Sequence, residues 1–166
     1  MGFGDWVVHH ALSEFNMALH GSSIKAEGGG YTREPSLAEM DKFFKGSGGF
    51  PEGYSGNHKV HWCGVFATYI LRKVCTGVAW QRGKLVDLSG GKNLQIVRNN
   101  VGMKAGDVAV RDTANQNHHF IVLGEPTGGQ ITSVDGNYGN IQLRRLFYGN
   151  HWKNKVSAVE GYYRLI

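Results

Sequence analysis

The chain has 166 residues, a length that suits one globular domain with a sizeable core and is short for two. Its 41% hydrophobic and 19% charged residues exclude a disordered or collagen-like protein, and no apolar run approaches the roughly 18 residues that a bilayer-spanning helix needs. Eighteen Lys and Arg against 13 Asp and Glu give a net charge of +5. This balance favours anionic partners such as cell wall, nucleic acid or acidic membrane.

Two helices are predicted in the first third of the chain. Apolar residues at helical spacing predict the first helix over residues 5–20, with Asp5 as its N-cap. The second is predicted over residues 36–45, where Ser36 and Glu39 have the spacing of a capping box. Glycine-rich turns separate these helices from each other and from the next element.

A third helix is predicted over residues 61–75, and its apolar sequence indicates that it is buried. Both cysteines, Cys63 and Cys75, lie on it. Twelve residues of helix separate their Cα atoms by about 18 Å, beyond the reach of a disulfide, so we expect two free thiols. Residues 93–98 then suggest one further short helix.

From Lys104 onward the apolar pattern changes to a period of two, which predicts strands separated by turns. Helices followed by strands predict an α+β fold, in which N-terminal helices pack on a mainly antiparallel sheet. The five predicted strands cover residues 107–111, 119–124, 130–135, 141–147 and 156–165.

Cys63 is the candidate nucleophile because it begins the third helix. The positive end of a helix dipole favours thiolate over thiol, and the small Gly64 beside it would leave room for a substrate. Cys75, at the opposite end of the helix, lies where the dipole disfavours a thiolate, so we interpret it as a core residue.

A thiolate nucleophile needs a general acid and base, and imidazole is the usual choice. Of the eight histidines, His118 and His119 stand where a predicted apolar strand begins. We favour His119, with which the predicted strand starts. A surface or core role is the commoner use of a single histidine.

A third group should orient the imidazole by accepting from its other nitrogen. Asp135 and Asn137 end the following predicted strand, share one face of it and flank Gly136. Either residue could be the orienter at this stage. An ordinary Asp-Gly turn is the alternative interpretation of the same residues.

These residues stand in an order that resembles a known family, the CHAP-type cysteine amidases and peptidases. That family belongs to the broader papain-like group that includes the NlpC-type cell-wall hydrolases. The matching segments are Trp62-Cys63-Gly64-Val65-Phe66, Gly106-Asp107-Val108, His119-Phe120-Ile121-Val122, Asp135-Gly136-Asn137 and Gly161-Tyr162-Tyr163-Arg164.

The resemblance implies a papain-like fold and no cofactor. We expect a single domain over residues 1–166, with a helical N-terminal extension at 1–56 and a catalytic core at 57–166. It also implies that Asn57 helps to stabilise the oxyanion, although a turn or helix-cap role is the commoner explanation of such a residue. We take Asn57, Trp62 and His118 as the substrate-binding residues.

Two other functions fit the sequence less well. A zinc site built from His58, His61 and Cys63 together with His118 or His119 lacks the usual ligand spacings, so we expect no metal. Basic residues near Trp152 could bind nucleic acid by charge and stacking. Scattered solvated charge explains them more simply, so no nucleic-acid partner is expected.

The sequence thus predicts a cysteine hydrolase that cleaves amide bonds of peptidoglycan. We expect cytoplasmic synthesis without a signal peptide, then action in the periplasm or cell wall as a phage lysin or as an antimicrobial toxin of a type VI secretion system. A toxin would have a cognate immunity protein. The alternatives are a cysteine protease or acyltransferase acting on a protein, and a non-catalytic basic binding module.

Overall fold

The computed structural model describes residues 1–17, 23–26, 28–49, 61–113, 117–139 and 144–166. Within them the fold is α+β, as the sequence predicts. The helices are α1 (Phe3–Asn16), α2 (Leu37–Gly46) and α3 (Cys63–Val74). The strands are β1 (Ile24–Ala26), β2 (Gly30–Arg33), β3 (Val78–Gln81), β4 (Lys84–Asp87), β5 (Leu94–Val97), β6 (Val108–Arg111), β7 (His118–Val122), β8 (Gln130–Gly136), β9 (Leu146–Lys155) and β10 (Val159–Leu165).

The main sheet has eight strands rather than the predicted five, in the order β1-β2-β9-β8-β7-β6-β10-β5, and its neighbouring strands are antiparallel. β5 occupies the place of the short helix predicted at residues 93–98, which was wrong. It pairs with β10, and this tertiary pairing outweighs the local pattern. Strand β9 begins at Leu146, and β10 is preceded by a 3₁₀ turn at Val156–Ala158.

The helix boundaries follow the capping residues. Ser36 is the N-cap of α2. Its hydroxyl accepts the backbone N–H of Glu39, and its own backbone N–H donates to the Glu39 carboxylate, which confirms the predicted capping box. Helix α1 starts earlier than predicted, because Gly2 is its N-cap. Asp5 lies inside the first turn, where its carboxylate accepts the N–H of Gly2 at 2.9 Å. The predicted end of that helix lies outside the described residues.

Two hydrophobic clusters lie on opposite faces of the sheet. The larger cluster joins α1, α2 and α3 to Ile121 and Val134, while Phe120 and Ile131 belong to the second cluster. Alternate residues of one strand therefore contribute to different clusters. Strand β7 is buried along its whole length between them.

Strands β3 and β4 form a separate two-stranded sheet that packs against α3. They are joined by Arg82 and Gly83, both with positive φ (49° and 76°), as the tight two-residue turns of hairpins require. The hairpin lies directly after α3 along the chain and forms a wall beside its N-terminus.

The N-terminal segment belongs to the same fold as the rest. β2 pairs with β9, and α1 packs on α3. Arg33 of β2 is buried, pairs with Glu39 of α2 at 2.9 Å and donates to the carbonyl oxygens of Glu14 and Phe15 in α1. One guanidinium thus links three elements. No helix in the described part of the chain has the length and apolar character needed to cross a membrane.

Candidate active site

Cys63 is the first residue of α3 and follows the N-cap Trp62. Its side chain lines a cleft, although only 3% of the residue is exposed. The Sγ atom lies 3.8 Å from the carbonyl oxygen of Asn117, the residue just before β7. This contact places the thiol at the point where β7 begins.

Both histidines of β7 interact with this thiol, although they are neighbours on one strand. His119 stacks on Tyr163 with ring centroids 6.4 Å apart, while His118 stacks on Phe120 of the second hydrophobic cluster at 6.0 Å. Each imidazole lies close enough to Cys63 to lower the pKa of the thiol through hydrogen bonding and charge. The site therefore holds one sulfur and two imidazoles.

Asp135 of β8 pairs with His118, not with His119. Its Oδ2 lies 2.7 Å from Nε2 of His118, and the carboxylate is fully buried. Because Nε2 is engaged with this carboxylate, Nδ1 is the ring nitrogen left for the thiol. The geometry therefore favours His118 for the acid and base role that the sequence analysis gave to His119.

A chain of buried polar side chains holds Asp135 in place. The Ser133 hydroxyl donates to its Oδ1, and Nδ2 of Asn154 donates to its Oδ2 at 2.7 Å and to the Ser133 hydroxyl at 3.1 Å. Arg111 in turn donates to the side-chain oxygen of Asn154 at 2.8 Å. This network fixes the carboxylate and so the plane of the His118 ring.

The electrostatics of the site favour a charge-separated pair. Burial alone would raise the pKa of the Cys63 thiol, but hydrogen bonds and charge from His118 and His119 bring it well below its ordinary value. Burial likewise disfavours the His118 imidazolium, yet its hydrogen bonds with Asp135 and Cys63 raise its pKa to about 9. Burial alone would raise the pKa of Asp135, but the hydrogen bond and charge of His118 lower it below its ordinary value. Thiolate and imidazolium are thus the expected forms at neutral pH.

His119 differs from His118 in its surroundings. Its ring lines the cleft and meets the edge of Trp80 at a centroid distance of 5.1 Å. Only 6% of the residue is exposed, and its Nδ1 is buried with no hydrogen-bond partner among the described residues. A buried polar atom without a partner costs free energy, and a bound ligand could satisfy it.

The remaining predicted site residues have different positions. Asn137 follows β8 with a positive φ of 58°, and its side-chain oxygen is buried without a partner in the described part of the chain. Asp135 is the residue that contacts the His118 imidazole. Trp62 is completely buried and stacks with Phe43, away from the cleft surface. Asn57 lies outside the described residues.

Gly64 has a different role from the one the sequence suggested. The space beside it is filled by the ring of Trp80, which a Cβ at position 64 would overlap. Gly136 likewise lies against Phe66 and Trp62 of α3 and its N-cap, so the absence of a side chain lets β8 approach the helix. Both glycines set distances between elements near the thiol.

The cleft beside Cys63 has a volume of about 770 Å³. One wall is the β3–β4 hairpin, with Trp80, Arg82 and Lys84, and the other includes Arg98 and Tyr163. Sequence reasoning missed these wall residues and the network partners Ser133, Asn154 and Arg111. Their positions depend on strand pairing, although the alternation of Ser133 and Asp135 on one strand face was a usable signal.

No group of three or more His, Cys, Asp or Glu suited to a metal ion occurs among the residues that the structure describes. Comparisons of the chain with protein-family models, with curated proteins and with solved structures find no match.

Proposed function

We propose that this protein is a cysteine hydrolase of CHAP-like, papain-like type that cleaves an amide bond of bacterial peptidoglycan. The observation that carries the proposal is the contact series from Cys63 through His118 to Asp135, at the edge of a cleft. A nucleophile, a base and a group that orients the base are the parts that thiol-based acyl transfer needs.

In the proposed reaction the Cys63 thiolate attacks the carbonyl carbon of the scissile amide. The His118 imidazolium then gives its Nδ1 proton to the departing amine, so that the C–N bond breaks and a thioester remains. Neutral His118 next takes a proton from water, and the resulting hydroxide attacks the thioester. The carboxylic acid product leaves and the thiolate is restored.

Two groups are placed to assist this chemistry. The backbone N–H of Cys63 is in the first turn of α3 and has no partner within the helix, so it can donate to the oxyanion. His119 lies on the cleft wall beside the thiol, and we assign it contact with the substrate amide. Asp135 keeps the His118 ring oriented and its imidazolium stabilised.

Digestion of purified sacculi with mass spectrometry of the released muropeptides tests the proposal. Wild-type protein and the Cys75→Ala variant should release new muropeptides, whereas Cys63→Ala and His118→Ala should release none while circular dichroism shows that both are folded at the assay temperature. The new termini would identify the bond that is cut. Intact sacculi after wild-type treatment would contradict the proposal.

The two histidines can be separated in the same assay. Loss of the base in His118→Ala should remove activity at every substrate concentration, while His119→Ala should retain measurable turnover with a raised KM. Complete loss in His119→Ala together with retained turnover in His118→Ala would restore the assignment first made from the sequence.

The biological setting is also a proposal. The basic chain suits the anionic cell wall, and both a lysin and a toxin delivered by a secretion system would bring such an enzyme to it. We favour the toxin, with an immunity protein that covers the Cys63 cleft. Cleavage of a protein alongside unchanged muropeptides would instead favour the same chemistry acting on a protein target.

A further inference from the structure

The cleft that contains the thiol has a one-sided charge. Arg82 and Lys84 line it from the β3–β4 hairpin, and Arg98, which follows β5, lines it from the main sheet. None of the described residues that line it is Asp or Glu. Positive side chains on both walls of a cleft focus a field that attracts anions.

Arg82 is held there at a conformational cost. It is the first residue of the hairpin turn and has a φ of 49°, in the left-handed region that favours Gly, Asn or Asp. A long side chain at such a position contributes nothing to the turn itself. It does, however, place a positively charged residue in the lining of the cleft.

Arg98 is close to Tyr163, which lines the same wall of the cleft. Its charge opposes the effect of burial, which raises the pKa of the Tyr163 hydroxyl. Tyr163 stacks on His119, which in turn meets the edge of Trp80. The guanidinium is therefore part of a continuous surface that leads to the thiol.

From these observations we infer that the cleft selects substrates with a free carboxylate near the scissile amide, bound by Arg82, Lys84 and Arg98. The inference rests on the proposed function, because it names the substrate class of the same site. Peptides whose carboxylates are converted to carboxamides should be poor substrates, since they lose the charge but keep the shape.

The reaction of Cys63 with two alkylating agents tests for a positive electrostatic field in the cleft and does not require the protein to hydrolyse a substrate. Iodoacetate and iodoacetamide are similar in size and differ in charge, and in both cases the thiolate forms an S–C bond while iodide leaves. All proteins carry Cys75→Ala so that one thiol reacts. The readout is the ratio of the two second-order rate constants at pH 7 and low ionic strength.

In water a unit charge about 8 Å from an anionic reagent changes its local concentration about twofold. Replacing Arg82 with Gly and both Lys84 and Arg98 with Gln should therefore lower this ratio by roughly tenfold. The iodoacetamide rate should change less than twofold. Lys45→Gln, an exposed lysine of α2 outside the cleft, is the matched control and should leave the ratio unchanged. Arg82→Gly alone should also stabilise the fold, because Gly adopts a positive φ without strain. This single variant therefore tests the charge effect in a protein that remains folded.

A ratio that stays the same in the triple variant would overturn the inference. Sacculi that remain intact while the alkylation ratio falls as expected would contradict the proposed hydrolase function but not the positive field of the cleft. Where hydrolysis is observed, a free-carboxylate peptide should exceed its carboxamide counterpart in kcat/KM by at least tenfold. Equal values for the two peptides would also overturn the inference and leave the hydrolase proposal standing.

Discussion

The carboxylate of Asp135 is fully buried and accepts hydrogen bonds from Ser133 and Asn154 while contacting His118. Asp135→Asn keeps the shape but removes the charge that favours the imidazolium. We expect kcat to fall by roughly two to four orders of magnitude, as loss of an orienting carboxylate does elsewhere. NMR titration should show the pKa of His118 below its raised value of about 9.

Asn137→Ala is the matched control for this prediction. The Asn137 side-chain oxygen has no partner in the described part of the chain, so its loss should change kcat less than tenfold and leave the His118 pKa in place. Comparable losses in both variants, with an unchanged His118 titration, would mean that Asp135 does not orient the imidazole.

The charge-separated pair also makes a prediction about stability. On folding, the His118 imidazole gains a proton and the Cys63 thiol loses one, so the number of bound protons hardly changes near neutral pH. In Cys63→Ala only the imidazolium remains, and Asp135 still raises its pKa. The folded state then binds more protons than the unfolded state above pH 6.5.

The free energy of unfolding of Cys63→Ala should therefore fall, relative to wild type, as the pH rises from 6.5 through the His118 pKa. The largest slope is about 1.4 kcal/mol per pH unit. Urea denaturation of both proteins between pH 6 and 9 measures this difference. Parallel stability curves would show that the thiol and the imidazole are not coupled.

At the scale of single residues, the sequence singles out Cys63 and leaves Asp135 and Asn137 as alternatives, but it does not predict that His118 rather than His119 contacts the carboxylate. Ile121 pairs with Val134, so the even residues of β7 share a face with the odd residues of β8. A shift of one residue would give Asp135 to His119 instead. Register depends on the packing of both faces, which the local sequence does not contain.

At the scale of elements, contact between α3 and the β3–β4 hairpin depends on Gly64, whose missing side chain makes room for the Trp80 ring. Gly64→Ala should displace that ring, destabilise the protein by about 1–3 kcal/mol and lower kcat/KM, because Trp80 also meets His119 and lines the cleft. Thermal melts and the muropeptide assay measure both effects.

Replacing the Trp80 ring with a smaller side chain tests whether crowding at position 64 causes the loss of stability. In Gly64→Ala combined with Trp80→Leu, the new methyl group has space, so the melting temperature should recover relative to Gly64→Ala alone. Gly83→Ala would be a poor control because Gly83 has a positive φ of 76°. Gly124→Ala is suitable, since a Cβ there has no atom within 4 Å.

The elements that the sequence predicts well have strong local signals. The α2 capping box and the buried apolar pattern of β7 are examples. Strands β1 to β5 have three or four residues each and lie among glycines and turns, so their pattern is too short to establish a period. Their existence depends on partners far along the chain, such as β9 for β2 and β10 for β5.

At the scale of the whole molecule, the N-terminal segment is part of the folded unit. Strand β2 covers an edge of β9, and Arg33 bonds to α1 and α2 from a buried position. A chain lacking residues 1–56 should lose cooperative unfolding, because an edge strand and the α3 surface would be exposed. Circular dichroism during heating measures this.

A point variant tests the same link with the chain intact. Glu39→Gln leaves the buried Arg33 guanidinium without its charged partner and should cost about 3–5 kcal/mol, whereas the exposed Glu34→Gln should cost less than about 1 kcal/mol. A truncated chain that melts cooperatively near the wild-type temperature would instead show that residues 57–166 fold independently.

The β3–β4 hairpin pairs with itself and not with the eight-stranded sheet. Its tip can therefore change in sequence or length without breaking the strand pairing of β7 with β8, which carry His118 and Asp135. In the proposed enzyme, Arg82 and Lys84 would therefore bind substrate from a part of the fold that is separate from the proposed reacting groups. Grafting a different loop between Gln81 and Lys84 would thus alter what enters the cleft while the reacting groups keep their positions.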